Sequence, residues 1–333
     1  MNLPADAPRI FVTARLPSPA PELLRQFTPH LEVFAEERLP DRGELRAGIA
    51  RCDGLLCQLT DRIDREALSW SPRLRAISAY AVGTNNIDLA EATRRGIPVA
   101  NTPGVLTEAT ADLALALLLA AARRLGEGER LLRRGAWTGW RPTLLLGVDL
   151  RGRQLGILGP GRIGRAVAER ARAFGLRIAY WGRRRHPDWE EALAAVPLSL
   201  PELLASSDIV SVHLPLTGAT RHLLGAAALG AMKPGSILIN TARGPIVDEA
   251  ALVAALRSGP LRAAGLDVFE AEPAVHPGLL ELENVVLAPH LGSATEETRS
   301  RMAELAARNL ILMLEGRPPL HAVNPEVAPP PAR

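Results

Sequence analysis

The chain has 333 residues, 47% of them hydrophobic and only 4% aromatic, which is enough apolar material for two domains with cores built largely from Leu, Val, Ile and Ala. A net charge of +3 with no long basic block argues against a nucleic-acid footprint, although Arg lifts the isoelectric point to about 9.3. The longest apolar run, Leu113 to Ala122, is too short to cross a bilayer and lies between Asp112 and the pair Arg123 and Arg124, so it reads as a buried helix and not a membrane element.

The first residues, Met1-Asn-Leu-Pro-Ala-Asp-Ala-Pro8, lack a basic segment followed by an apolar one. Cys52 and Cys57 stand without a second Cys or His cluster nearby and are expected to be buried free thiols, with no metal site. A reduced, cytoplasmic protein is the expectation.

Taken in order, Arg9 to Thr13, Leu31 to Phe34, Gly54 to Cys57 and Leu74 to Ser78 are short apolar runs. Helical patterns at Glu22 to Phe27, Glu44 to Ala50 and Arg65 to Leu68 separate them. This alternation predicts an α/β fold, a parallel sheet with helices on both faces. The loop Ala79 to Asp88 contains Gly83, which is either a plain turn residue or part of a nest of N–H groups open to an anion. A helix over Leu89 to Arg95 and a strand near Ile97 come next, then a long Ala/Leu helix from Thr107 to Arg134 with breaks expected at Gly126 and Gly128. Trp137 and Trp140 would be core filling if buried, and an interface or active-site element if exposed on a loop.

The stretch Gln154-Leu-Gly-Ile-Leu-Gly-Pro-Gly-Arg-Ile-Gly164 is a strand, a tight turn and the start of a helix. Glycines at 159, 161 and 164 suit a dinucleotide-binding turn: one makes the bend, one lets the backbone approach a pyrophosphate, one lets helix and strand pack closely. The helix N-terminus then offers unpaired N–H groups to the phosphates. After the second strand, Leu176 to Tyr180, an acidic residue would bind the ribose hydroxyls of NAD. The chain has Trp181-Gly-Arg-Arg-Arg185 there instead. Guanidinium groups of Arg183 and Arg184 suit a 2′-phosphate, so NADP(H) is the expected cofactor and NAD(H) the alternative.

Strands at Asp208 to Pro215, Gly235 to Asn240, Arg262 to Asp267 and Asn284 to Pro289 follow, with a closing helix to Leu314. Arg243, Glu272 and His290 each come just after one of these strands, on the edge where open α/β sheets bind ligands. Together they fit reduction of a 2-oxo acid: Arg for the carboxylate and carbonyl, His as proton donor kept protonated by a carboxylate, and a nicotinamide as hydride source.

These stretches, with Gly54 to Asp61, Val82-Gly-Thr-Asn-Asn-Ile-Asp88, Thr107-Glu-Ala-Thr-Ala-Asp112, Asn240-Thr-Ala-Arg-Gly244, Gly265 to Glu270 with Glu272-Pro273, and Pro289 to Thr295, resemble the D-isomer-specific 2-hydroxyacid dehydrogenases, and among them the glyoxylate and hydroxypyruvate reductases. The resemblance implies two Rossmann-like domains, a cofactor domain of residues 104–291 inserted into a flavodoxin-like substrate domain of residues 1–103 and 292–333. It implies Arg243 as the substrate-binding cation, His290 as general acid and Glu272 as the group that orients His290. It implies further that the N–H groups of Val82 and Gly83 hold the carboxylate, that Leu59 faces a small substrate, and that Trp140, with Trp137 in reserve, enters the active site of a neighbouring subunit in a homodimer. The cofactor would be held by Thr107, Gly159, Gly161, Arg162, Ile163, Gly164, Pro215, Thr220, Ala242, Asp267 and Gly292, and the Thr107 to Arg134 helix would be a hinge and dimer element.

The expected function is NADPH-dependent reduction of glyoxylate and hydroxypyruvate. A broad 2-oxo acid reductase of the D-lactate type and a dinucleotide-sensing, corepressor-like interaction protein are the alternatives.

Overall fold

A computed structural model describes residues 7–331; Met1–Asp6, where the expectation of no leader is made, and Ala332 and Arg333 lie outside the described residues. The chain divides into two compact units, one running to Leu106 and resuming at Ala294, the other Thr107–Ser293.

In the first unit the strands are Ile10–Val12 (β1), Leu31–Val33 (β2), Gly54–Cys57 (β3), Ala76–Ala79 (β4) and Val99–Ala100 (β5). They pair in parallel in the order β2-β1-β3-β4-β5, the flavodoxin-like order. Successive residues of a strand face opposite sides. Thus Leu55 and Ile77 pack with Ile49 and Leu68 on one face, while Leu56 and Ala76 pack with Met302, Ala306 and Leu310 of the helix Glu296–Leu314 on the other. Asp41, Asp64 and Asp88 each accept a backbone N–H of the first helical turn that follows them, which fixes where those helices start. Cys52 and Cys57 are free and buried, and burial pushes the Cys52 thiol up to about 12.

The second unit carries Gln154–Leu158 (β6), Arg177–Trp181 (β7), Val196–Pro197 (β8), Ile209–Val212 (β9), Ser236–Asn240 (β10), Leu261–Leu266 (β11) and Val285–Leu287 (β12). All are parallel, in the order β12-β11-β10-β9-β6-β7-β8. Counted from β6 this is the dinucleotide-binding order with one strand added, and its switch point lies between β6 and β9. The stretch between Arg185 and Asp208 is a helix Pro187–Leu193, the strand β8 and a helix Leu200–Ser206.

One expectation needs correction. The long helix breaks at Arg124, whose φ is 53°, and not at Gly126 or Gly128, which lie inside the second helix Leu125–Arg133. The first helix is Thr107–Ala122, and its last carbonyl, on Ala122, accepts the Val148 N–H at 3.0 Å, which satisfies one of the acceptors left free at a helix end. Among the described residues no helix is long and apolar enough to cross a membrane.

Candidate active site

β6 ends at Leu158, and Gly159 follows with φ 98°, a conformation glycine adopts without strain. A Cβ there would lie 2.7 Å from the His213 carbonyl oxygen, and one on Gly164 would lie 2.5 Å from the Gly159 carbonyl oxygen. Both positions therefore need glycine for close packing. Gly161 is different, because nothing lies within 4 Å of where its Cβ would be. It caps the helix Arg162–Ala173 without any side-chain hydrogen bond. Among the described residues no acceptor is hydrogen-bonded to the N–H groups of Arg162 and Ile163 in the first turn, which suits a pyrophosphate. The residues present fit a dinucleotide.

Beyond β7, Arg183 and Arg184 are exposed and make no ion pair among the described residues. Arg185 is tied back by Glu190, which also accepts the Tyr180 hydroxyl at 2.7 Å. Beyond β9, His213 donates to or accepts from the Ser211 hydroxyl at 2.8 Å, and burial pushes its pKa down to about 3, so its ring is neutral. Pro215 is exposed and its carbonyl accepts the Thr220 hydroxyl at 2.7 Å, which folds that loop onto itself.

β10, β11 and β12 are neighbours in the sheet, so the loops after them share one edge. The β10 loop is braced by Asn240, whose side chain accepts the Ala242 N–H at 3.0 Å and donates to the Arg243 carbonyl at 3.0 Å. Arg243 reaches back to the Ala242 carbonyl at 2.6 Å; burial lowers its pKa, against the opposing charge of Glu272. A guanidinium stays cationic under such a shift.

After β11, Asp267 accepts the N–H groups of Leu291 and Gly292 at 2.6 and 2.8 Å and so pins the loop after β12. Burial raises its carboxyl pKa, and those N–H bonds and the His290 charge only partly offset this. Thr110 fixes the same loop through the Gly292 carbonyl at 3.0 Å.

His290 lies just past β12 with φ 55°, a strained backbone for a non-glycine residue and one that recurs at functional sites. Its Nδ1 lies 2.9 Å from Glu272 Oε2. The other oxygen, Oε1, accepts the Phe269 N–H at 3.0 Å. Burial would raise the Glu272 carboxyl, but the His290 hydrogen bond and charge, the Phe269 N–H and Arg243 outweigh it and hold it below the usual carboxylate range. Glu272 is thus an anion that accepts from Nδ1 and leaves Nε2 for another group. A hydrogen-bonded His–carboxylate pair with a nearby Arg can deliver a proton to an oxygen beside a carboxylate.

Thr107 opens the first helix of this unit. Leu59, Val82 and Gly83 belong to the other unit, after β3 and β4. There Asn101 donates to the Val82 carbonyl at 2.7 Å, and among the described residues no acceptor is hydrogen-bonded to the N–H groups of Val82 and Gly83. Trp137 and Trp140 are 52% and 80% exposed, which rules out core filling within this chain. Asn240 and the buried Asp61, which accepts the Gln58 N–H at 2.6 Å and the Thr13 hydroxyl, escaped the sequence reading as loop braces. Only their places, Asn240 as the last residue of β10 and Asp61 in the loop after β3, could have pointed to them.

Residues 115–292 match the model of the D-isomer specific 2-hydroxyacid dehydrogenase NAD binding domain. A glyoxylate reductase of Aeropyrum pernix is 52% identical over 326 residues, 96% of this chain and 97% of that protein. The chain belongs to the D-2-hydroxyacid dehydrogenase family. A second such relative, the glyoxylate reductase of Thermococcus litoralis, is 48% identical over 96% of this chain and 98% of its own length. A solved dehydrogenase of this kind, the NADPH-dependent glyoxylate/hydroxypyruvate reductase of Sinorhizobium meliloti in complex with NADP and malonate, superposes with a TM-score of 0.84 at 36% identity, covering 98% of this chain and all of that one. As a D-2-hydroxyacid dehydrogenase the protein is an enzyme that uses a nicotinamide dinucleotide.

Proposed function

We propose that this dehydrogenase reduces glyoxylate and hydroxypyruvate to glycolate and D-glycerate with NADPH. The observation that carries the reading is the His290–Glu272 pair at 2.9 Å on the sheet edge that also carries Arg243, in a unit whose glycine turn fits a dinucleotide. The names of the relatives, glyoxylate reductases at about half identity along nearly the whole chain, support the substrate class.

The nicotinamide, when bound, supplies the hydride that C2 of the 2-oxo acid accepts. Arg243 binds the carboxylate and polarises the carbonyl, with the N–H groups of Val82 and Gly83 as further donors to the carboxylate. His290, fixed through Nδ1 by Glu272, gives the proton on Nε2 to the carbonyl oxygen. Proton and hydride together balance conversion of the ketone to the alcohol. Gly159, Gly161, Gly164, Arg162 and Ile163 would hold the pyrophosphate, and Thr107, Pro215, Thr220, Ala242, Asp267 and Gly292 the rest of the cofactor. Arg183 and Arg184, exposed and unpaired, would bind the 2′-phosphate; they carry the NADPH preference over NADH.

Leu125, Leu132, Trp137, Trp140 and Leu146 are exposed within one stretch of chain. This supports a homodimer built on that stretch, with Trp140 reaching the partner's substrate. Two free buried thiols suit a reducing compartment such as the cytoplasm. Oxidation of NADPH and of NADH with glyoxylate, hydroxypyruvate, pyruvate and phenylpyruvate tests the reading. Fast NADPH turnover on the first two supports it, and equal or better rates on the last two would favour a broad 2-oxo acid reductase.

A further inference from the structure

The loop after β10, with Arg243, and the loop after β11, with Glu272, are joined by a pair of carboxylates that the proposed chemistry does not use. The Glu249 N–H donates to Glu270 Oε2 at 3.0 Å, and the Glu270 N–H donates to Glu249 Oε1 at 2.8 Å. Each side chain therefore accepts the other residue's backbone. Glu270 Oε1 also accepts His222 Nε2 at 2.5 Å, and the His222 N–H donates to the Pro245 carbonyl at 2.8 Å. His222 itself is held at φ 50°. Gly244, next to Arg243, lies flat on this cross-link: a Cβ there would sit 1.9 Å from the Phe269 carbonyl carbon and 2.4 Å from the Glu270 nitrogen.

Two successive peptide N–H groups are thus used in sequence. That of Phe269 holds Glu272, the partner of His290, and that of Glu270 holds Glu249. The arrangement is costly. Glu249 is buried; burial and the Glu270 charge push its carboxyl pKa up, and the Glu270 N–H and His276 only partly oppose this. Two facing carboxylates are a poor way to pack a loop, since neutral side chains would avoid the desolvation.

We propose that Glu249, Glu270 and His222 form a positioning clamp that fixes the Arg243 loop against the Glu272 loop and so sets Arg243 relative to the His290–Glu272 pair. The inference rests on the catalytic reading of those three residues. A small misplacement of a substrate-holding group, far short of unfolding, costs up to about 100-fold in rate.

The test compares Glu249→Ala and Glu249→Gln in the full chain. The readouts are kcat and KM for glyoxylate with NADPH across the pH range, NADPH affinity by fluorescence titration, and thermal melting. The expected result is a loss of at least about 10-fold in kcat and a displaced pH profile for Glu249→Ala, with NADPH affinity kept within about 2-fold. Glu249→Gln, whose Oε1 still accepts the Glu270 N–H, should recover most of the rate. Unchanged kcat and pH profile in Glu249→Ala, no recovery by Gln, or NADPH affinity lost in step with kcat each overturn the clamp. If Glu249→Ala does not fold, His222→Ala at the exposed end of the network is judged by the same measurements. Failure of the catalytic reading looks different: the wild-type chain would not turn over, or His290→Ala would turn over normally with the clamp intact.

Discussion

Glu272 holds two partners at once, the Phe269 N–H on Oε1 at 3.0 Å and His290 Nδ1 on Oε2 at 2.9 Å. A carboxylate fixed at one oxygen by its own loop presents the other in a set direction, so the imidazole is oriented before any substrate arrives. Removal of the proton donor by His290→Ala should lower kcat about 10² to 10⁴-fold while NADPH affinity survives. Single-turnover reduction of glyoxylate beside a fluorescence titration checks this, and near wild-type turnover would refute the assignment of the acid.

The same pair has a signature in stability. The Glu272 carboxyl sits below its ordinary value in the folded chain, so its contribution is fully present above the unfolded carboxylate pKa of about 4.3 and is lost as pH falls through the lower, folded value. The melting-temperature advantage of wild type over Glu272→Gln should accordingly shrink as the pH falls into the acid range. An advantage that grows on acidification would contradict the ion-pair description.

Arg243 and the arginines of the β7 loop are expected to separate substrate from cofactor. Arg243→Lys keeps the charge and loses the planar fork, and it should reduce kcat/KM for glyoxylate by about 10-fold or more at unchanged NADPH affinity. Replacing Arg183 and Arg184 together by Ala should weaken NADPH far more than NADH, with a reduced salt dependence of NADPH binding. Equal weakening of both cofactors would remove the 2′-phosphate argument.

The glycines of the turn should fall into two classes. Gly159→Ala forces a strained φ of 98° and a Cβ 2.7 Å from a carbonyl oxygen, so it should cost about 1–3 kcal/mol of stability as well as cofactor binding. Gly161→Ala has open space for its methyl. It should leave the melting temperature nearly unchanged and still weaken the dinucleotide, because the methyl stands where the pyrophosphate would approach. Denaturant melts beside NADPH titrations separate the two.

The parallel α/β class, the glycine turn, and the strand ends that carry Arg243, Glu272 and His290 are legible in the residues alone. Those features are written locally: apolar runs of strand length, glycines at turn positions and polar residues just past a strand all follow from neighbours along the chain. Even the long Ala/Leu helix was legible, but its break was not. Gly126 and Gly128 are weak helix formers, yet the chain turns earlier, at Arg124 with φ 53°, where Val148, distant in sequence, caps the Ala122 carbonyl. That β10, β11 and β12 are neighbours, which gathers the loops bearing the three residues on one edge, emerges only from the folded sheet. Folding alone set Glu272 Oε2 2.9 Å from His290 Nδ1, and it alone joined Glu249 to Glu270 across two loops. Pairings of this kind depend on which strands lie side by side and on a separation of a few ångströms between groups far apart in the chain. No residue type or spacing along a single segment records that.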